Sequence, residues 1–166
     1  MKAPVLSGIH HLKLPVSDIP AGIDWFERAF GAHRIERFDH RDESGTLFAV
    51  ILMLPGLDVP IELRLAPAAA DAIVGYDPVT FGVPDRAVLD VWIEHFDAVG
   101  VVHSPVISGF IGDLVELVTP DGLALRLYTD PVGGFDAVDF APERADLASA
   151  HLTHRIMQPP YSNGTL

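Results

Sequence analysis

Leu12, Leu14 and Val16 alternate with His11, Lys13 and Pro15, a period of two that predicts a half-buried strand over residues 9–16. The period then lengthens. Ile23, Phe26 and Phe30 recur at helical spacing between Asp18, a suitable N-cap, and Gly31, a suitable left-handed stop. Pro20 falls in the first turn, where a missing N–H does no harm. Strand-like stretches follow at 33–39, 46–54 and 59–66, separated by Glu43-Ser44-Gly45 and Pro55-Gly56. Residues 67–75, with Pro67 and an alanine run, read as a connector with one helical turn.

After the connector the pattern restarts. Val79, Phe81 and Val83 share one face of a strand over 78–83. Asp85 caps a helix that carries Leu89, Trp92, Phe96 and Val99 at three–four spacing, and Gly100 closes it. Strands are expected near 101–107, 112–119 and 123–129, the last two joined by the turn Thr119-Pro120-Asp121-Gly122. Val16-x-Asp18 with Trp25 and Glu27 returns as Val83-x-Asp85 with Trp92 and Glu94, each 67 residues later. Ile61-Glu62-Leu63 is matched by Leu125-Arg126-Leu127, 64 residues on. Repetition at this period means two copies of one strand–helix–three-strand unit. The expected fold class is therefore α+β, with two tandem βαβββ modules over 1–66 and 76–130. A tail over 131–166 follows, with a short helix near 142–155 that carries His151 and His154.

Composition narrows the functions. The 166 residues suit one domain or two small modules and need no staple, and the absence of cysteine removes thiolate catalysis and Cys-ligated metal sites. A net charge of −12 argues against nucleic acid or an anionic membrane surface as partner. The longest apolar run, Leu47 to Leu54, is too short to span a bilayer, and no signal-peptide pattern opens the chain, so a cytoplasmic protein is expected. Phosphate-cradling glycine motifs and a Gly-x-Ser-x-Gly elbow are absent.

The duplicated modules, with His11-Leu-Lys-Leu-Pro-Val-Ser-Asp18, Ile61-Glu62-Leu63, Val79-Thr-Phe-Gly-Val-Pro-Asp85 and Pro120-Asp-Gly-Leu-Ala-Leu-Arg-Leu127, resemble the vicinal oxygen chelate superfamily. Glyoxalase I, extradiol dioxygenases, fosfomycin-modifying enzymes and bleomycin-binding proteins belong to that group. The resemblance implies curved mixed sheets that form a cup-shaped cavity. It also implies a divalent metal held by His or Gln on the first strand and Glu on the last strand of each module. Module one keeps both, as His11 and Glu62; module two has Pro78 and Arg126 at those places.

Strand alternation puts His11, Lys13, Glu62, Arg64, Thr80, Arg126 and Tyr128 on the face opposite the apolar one, and these form the expected ligand-binding set together with His103. His10 falls on the other face and is expected to contact the core or a helix. Two ligands make a weak metal site where three are usual, and Arg126 adds a like charge, so Glu62–Arg126 pairing is the favoured alternative to a metal. A guanidinium is no base, so true glyoxalase I activity is not expected. The leading expectation is a homodimeric protein that binds a small anionic or polar molecule without a tightly held metal. The rival is a lyase, isomerase or dioxygenase with a weakly bound divalent ion on His11, Glu62 and a third ligand such as His103, and with Glu62, His11 and Arg126 as its catalytic groups.

Overall fold

The computed structural model describes residues 3–138. The chain forms two compact units, Met1–Ala70 and Asp71 onward, and each repeats the same construction.

In the first unit, β1 (Leu12–Val16) leads into α1 (Ile19–Phe30), followed by β2 (His33–Arg34), β3 (His40–Arg41), β4 (Leu47–Met53) and β5 (Ile61–Leu65). The Asp18 carboxylate accepts the Ala21 N–H at 2.8 Å, and Gly31 ends the helix at φ 64°, as the punctuation required. The sheet runs β1-β5-β4-β2, with β3 also on β4; β1 and β5 are parallel and the remaining pairs antiparallel. Helix α1 packs on β4 and β5. Trp25, Phe26, Val50, Leu52, Ile61 and Leu63 form the buried layer.

The stretch expected as one strand over 33–39 is broken. A 3₁₀ turn over Glu36–Phe38 separates β2 from β3; the Ile35 N–H donates to the Ile51 carbonyl at 2.9 Å as the last rung of the β2–β4 pairing before the turn. Leu65 shares strand alternation with Ile61 and Leu63 yet is 41% exposed, because β5 ends there and α2 (Pro67–Ala72) begins two residues later.

The second unit holds β6 (Val79–Val83), α3 (Arg86–Val99), β7 (Ile107–Ser108), β8 (Asp113–Val118) and β9 (Ala124–Thr129) in the order β6-β9-β8-β7, with β6 parallel to β9. Asp85 caps α3 through the Val88 N–H at 2.9 Å, and Gly100 closes it at φ 68°. The strand expected over 101–107 shrinks to a bridge between His103 and Leu117 plus the two-residue β7. Val79 and Phe81 are half-buried, while Leu123, Leu125 and Leu127 are buried. The fold is α+β with two mixed sheets. The tail helix expected near 142–155, with His151 and His154, lies outside the described residues. Among the described residues no helix is long and apolar enough to cross a membrane.

Candidate functional site

The parallel pairing of β1 with β5 sets Lys13 beside Glu62, and β4 sets Ile51 on its other side. Glu62 is 2% exposed. Its Oε2 lies 3.3 Å from His11 Nε2 and 3.5 Å from Lys13 Nζ, while Oε1 accepts from Arg64 Nε at 2.8 Å. Burial pushes this carboxyl up, but the Arg64 hydrogen bond and the charges of Arg64, Lys13 and His40 outweigh it and hold Glu62 below its ordinary value. Glu62 is thus a stabilised carboxylate and a weak base. Arg64 is itself steadied by the Phe48 ring, 5.2 Å from its guanidinium carbon.

In front of this cluster the first unit has a pocket of about 620 Å³. Ile35, Phe38, Ile51, Met53 and Pro60 supply apolar walls, and His10, His11, His40, Arg37, Asp39 and Glu62 the polar positions. The 3₁₀ turn that broke the expected strand brings Arg37, Phe38 and Asp39 to this wall. Asp39 takes a bidentate grip from Arg34 and a further contact from Arg41 at 3.4 Å. Arg34 holds the Asp39 carboxyl below its ordinary value, against the opposing effect of burial.

His10 departs from the expected core position. β1 starts at Leu12, so strand alternation does not reach residues 10 and 11. His10 is exposed, lines the pocket, and sets its Nδ1 2.9 Å from His11 Nδ1.

The corresponding row of the second unit carries the opposite charge at its centre. Arg126 pairs across the ladder with Thr80 on one side and Glu116 on the other. It is 8% exposed; Nη1 lies 3.0 Å from Asp77 Oδ2 and Nη2 3.2 Å from Glu116 Oε2. Where Glu62 is an acid among cations, Arg126 is a cation among acids. Burial raises the Asp77 carboxyl; Arg126 opposes that and Glu116 adds to it, for a net rise. Asp77 Oδ1 is buried and meets no hydrogen-bond partner among the described residues. Glu62 and Arg126 are therefore each compensated inside their own unit, and the pairing expected between them is not needed to satisfy either.

The structure brings His11, Lys13, Glu62 and Arg64 together. Thr80 is exposed beside Arg126, and Tyr128 Oη accepts the Ile111 N–H at 3.2 Å. The His103 ring turns to helix α3, with Nε2 3.2 Å from Asp97 Oδ1 and Nδ1 2.8 Å from its neighbour's carbonyl, Ser104 O. Reading 33–39 as one continuous strand misses Arg37, Phe38 and Asp39, and with them His40, which lies just beyond that stretch in β3. Glu116 is missed too, although the hairpin turn at 119–122 sets the register that puts Glu116 opposite Arg126.

The donor set of the described residues does not fit a divalent metal of the kind the resemblance implies. Among the described residues no three His, Asp or Glu side chains are grouped to hold one. Glu62, an expected ligand, already carries two cations, and the matching positions of the second unit hold Pro78, with no donor, and a buried guanidinium.

Solved structures share the architecture. A genomically encoded fosfomycin resistance protein, FosX, from Listeria monocytogenes aligns with TM-score 0.60 at 17% identity, over 78% of this chain and 98% of its own. A glyoxylase/bleomycin resistance protein/dioxygenase domain from a Frankia species aligns at 0.58 and 20% identity, over 75% and 98%. TnmS3, an antibiotic-binding protein from a Streptomyces species, aligns at 0.59 and 16% identity, over 76% and 98%. Among curated proteins no sequence matches significantly. The model of the Glyoxalase/Bleomycin resistance protein/Dioxygenase superfamily matches residues 8–133, which takes in both sheets and both capped helices, and the chain belongs to that family.

Proposed function

We infer that this chain binds a small anionic or polar organic molecule in the pocket of its first unit, without a tightly held metal. The observation that carries the reading is the charge balance around an apolar-walled concavity of about 620 Å³. The cations on or behind its walls are Lys13, Arg34, Arg37, Arg41 and Arg64; the carboxylates are Glu36, Asp39 and Glu62. The pocket is thus locally positive in a chain of net charge −12. A low-dielectric cleft focuses such a field, and its volume suits a drug-sized ligand, about 300–1,000 Å³. Arg126, expected to meet the ligand, is neutralised by Asp77 and Glu116, so anion preference rests on the first unit's cluster. The fosfomycin resistance and antibiotic-binding proteins of the same fold support a small-molecule pocket. For the rival metal-dependent enzyme, His11 and Glu62 find no third grouped ligand among the described residues.

Calorimetric titration tests the reading. 1-Naphthoate is expected to bind saturably, and 1-naphthylmethylammonium, a cation on the same ring, at least tenfold more weakly. Met53→Trp, which fills the pocket, should abolish binding. Equal affinity for the two ions refutes the electrostatic argument, and binding untouched by Met53→Trp refutes the location. Elemental analysis of protein purified without chelator tests the metal: one transition ion per chain, lost on His11→Ala, would remove the metal-free part.

A further inference from the structure

The cations around this pocket are of two kinds. Lys13 and Arg64 both turn to Glu62, at 3.5 and 2.8 Å. Arg34 grips Asp39 through Nε and Nη2, and Arg41 reaches the same carboxylate at 3.4 Å and the Gly45 carbonyl at 3.1 Å. These four side chains share two carboxylates, and their donors are committed to the walls. Arg37 differs. Its guanidinium carbon lies 4.9 Å from the centre of the Phe38 ring, and it meets no carboxylate or carbonyl among the described residues. Arg37 is exposed and lines the pocket, so its N–H donors are open to a ligand.

The turn that carries Arg37 is held on both sides. Ile35 donates to the Ile51 carbonyl at 2.9 Å, and the Phe38 and Asp39 N–H groups close the turn on the Ile35 and Glu36 carbonyls at 2.9 and 3.0 Å. Asp39 is fixed in turn by its two arginines. Arg37 and Phe38 therefore stand on a fixed backbone, and the ring contact narrows the freedom of the guanidinium before any ligand arrives. A fork of parallel N–H donors matches the two oxygens of a carboxylate.

We propose that Arg37 takes the ligand's anionic group, that this group is a carboxylate held by the guanidinium fork at the pocket mouth, and that the uncharged end of the ligand points inward toward Glu62. The proposal rests on the pocket reading above and names the ligand class: a monocarboxylate with an apolar body. The direction follows from the charges at the two ends. Arg37 is exposed, whereas Glu62 is a carboxylate at 2% exposure. A ligand carboxylate pushed inward would have to share Lys13 and Arg64 with Glu62, two like charges competing for one pair of cations. At the mouth it meets a guanidinium with no such rival among the described residues. Lys13, Arg34, Arg41 and Arg64 set the field, and Arg37 makes the contact. Phe38 beside Arg37, with Ile51 and Met53, receives the apolar body.

Calorimetric titration of 2-naphthoate against 2-naphthamide, its uncharged counterpart of the same shape, reads the contact. The full chain is expected to prefer the carboxylate about tenfold, the effect of one charge-assisted bidentate contact. The preference falls to about one in Arg37→Gln, and to about threefold in Arg37→Lys, which keeps the charge and loses the fork. Because the Arg37 side chain is exposed, an unchanged naphthamide affinity in both variants reports an intact pocket. Naphthalene-2,6-dicarboxylate, with a second charge at the inner end, is expected to bind about threefold or more weaker than 2-naphthoate. A preference unchanged in Arg37→Gln, with binding still lost in Met53→Trp, overturns the assignment of Arg37 and leaves the pocket reading standing. Full preference in Arg37→Lys overturns the fork, and a dicarboxylate that binds as tightly as the monocarboxylate overturns the direction. If none of these compounds binds saturably, the pocket reading falls and this proposal with it.

Discussion

Replacing Arg126 with methionine isolates the energetics of the second unit's buried charges. Methionine keeps most of the apolar stem and removes the guanidinium, so the cavity term is small and the loss is mainly electrostatic. Arg126 is 8% exposed, and its two partners lie 3.0 and 3.2 Å away on side chains that are each 13% exposed. At an effective dielectric constant of about 20, each such contact is worth about 4 kcal/mol before desolvation of the guanidinium is subtracted. Breaking a buried ion cluster by removing one partner costs about 3–5 kcal/mol, because the remaining charges are left uncompensated. At about 2–4 °C per kcal/mol for a chain of this size, Tm should fall by about 6–20 °C. The pH dependence gives a second signature. With the cation gone, the Asp77 carboxyl, already raised by burial, loses the charge that opposes the rise, so the native variant holds more protons than its unfolded chain. Its stability therefore rises as pH falls toward the ordinary carboxyl range, and the penalty is fully present above it. Urea denaturation followed by far-UV circular dichroism at pH 7 and pH 5 measures both. A loss below about 1 kcal/mol at pH 7 would place these charges in the range of exposed pairs and refute the argument, as would equal losses at the two pH values.

Asp77 supplies a pH test in the intact cluster: its raised carboxyl makes stability drift downward as pH climbs above the ordinary carboxyl value, and Asp77→Asn should flatten that slope in a pH series of urea midpoints. Gly112→Ala should cost about 1–3 kcal/mol, because its Cβ would meet the Thr129 hydroxyl and stand 2.8 Å from the Thr129 carbonyl; faster hydrogen exchange at the Asp113 amide, which donates to Thr129 Oγ1 at 3.0 Å, would report the local damage. Asp18→Ala and Asp85→Ala each remove one cap from equivalent helices, at 2.8 and 2.9 Å, and should each lower stability by about 1 kcal/mol in chemical denaturation. A loss in only one of them would show that the two repeats do not use their caps alike.

Hydrophobic periodicity and helix punctuation determine the two-fold repeat, because each acts within a few residues of chain. Asp18 and Gly31, Asp85 and Gly100 mark the ends of α1 and α3 by local geometry alone, and the matching positions of Glu62 and Arg126 follow from the repeat. The gathering of Lys13 and Arg64 on Glu62 was half legible: alternation puts them on one face, but only the parallel register of β1 on β5 sets Lys13 beside Glu62, and His11, just ahead of the strand, joins them at 3.3 Å. What tertiary structure alone decided is where those charges find partners. The 3₁₀ turn at Glu36–Phe38 gives up strand pairing for a wall of the pocket, a choice no propensity announces. Asp77 lies just before β6, in a segment without periodicity, yet it closes on a guanidinium that strand β9 holds in place. His10 escapes the alternation because its strand begins two residues later. Local rules specify elements and faces, whereas a buried charge must be compensated by whatever the folded chain brings within a few ångströms, and that depends on contacts distant in sequence.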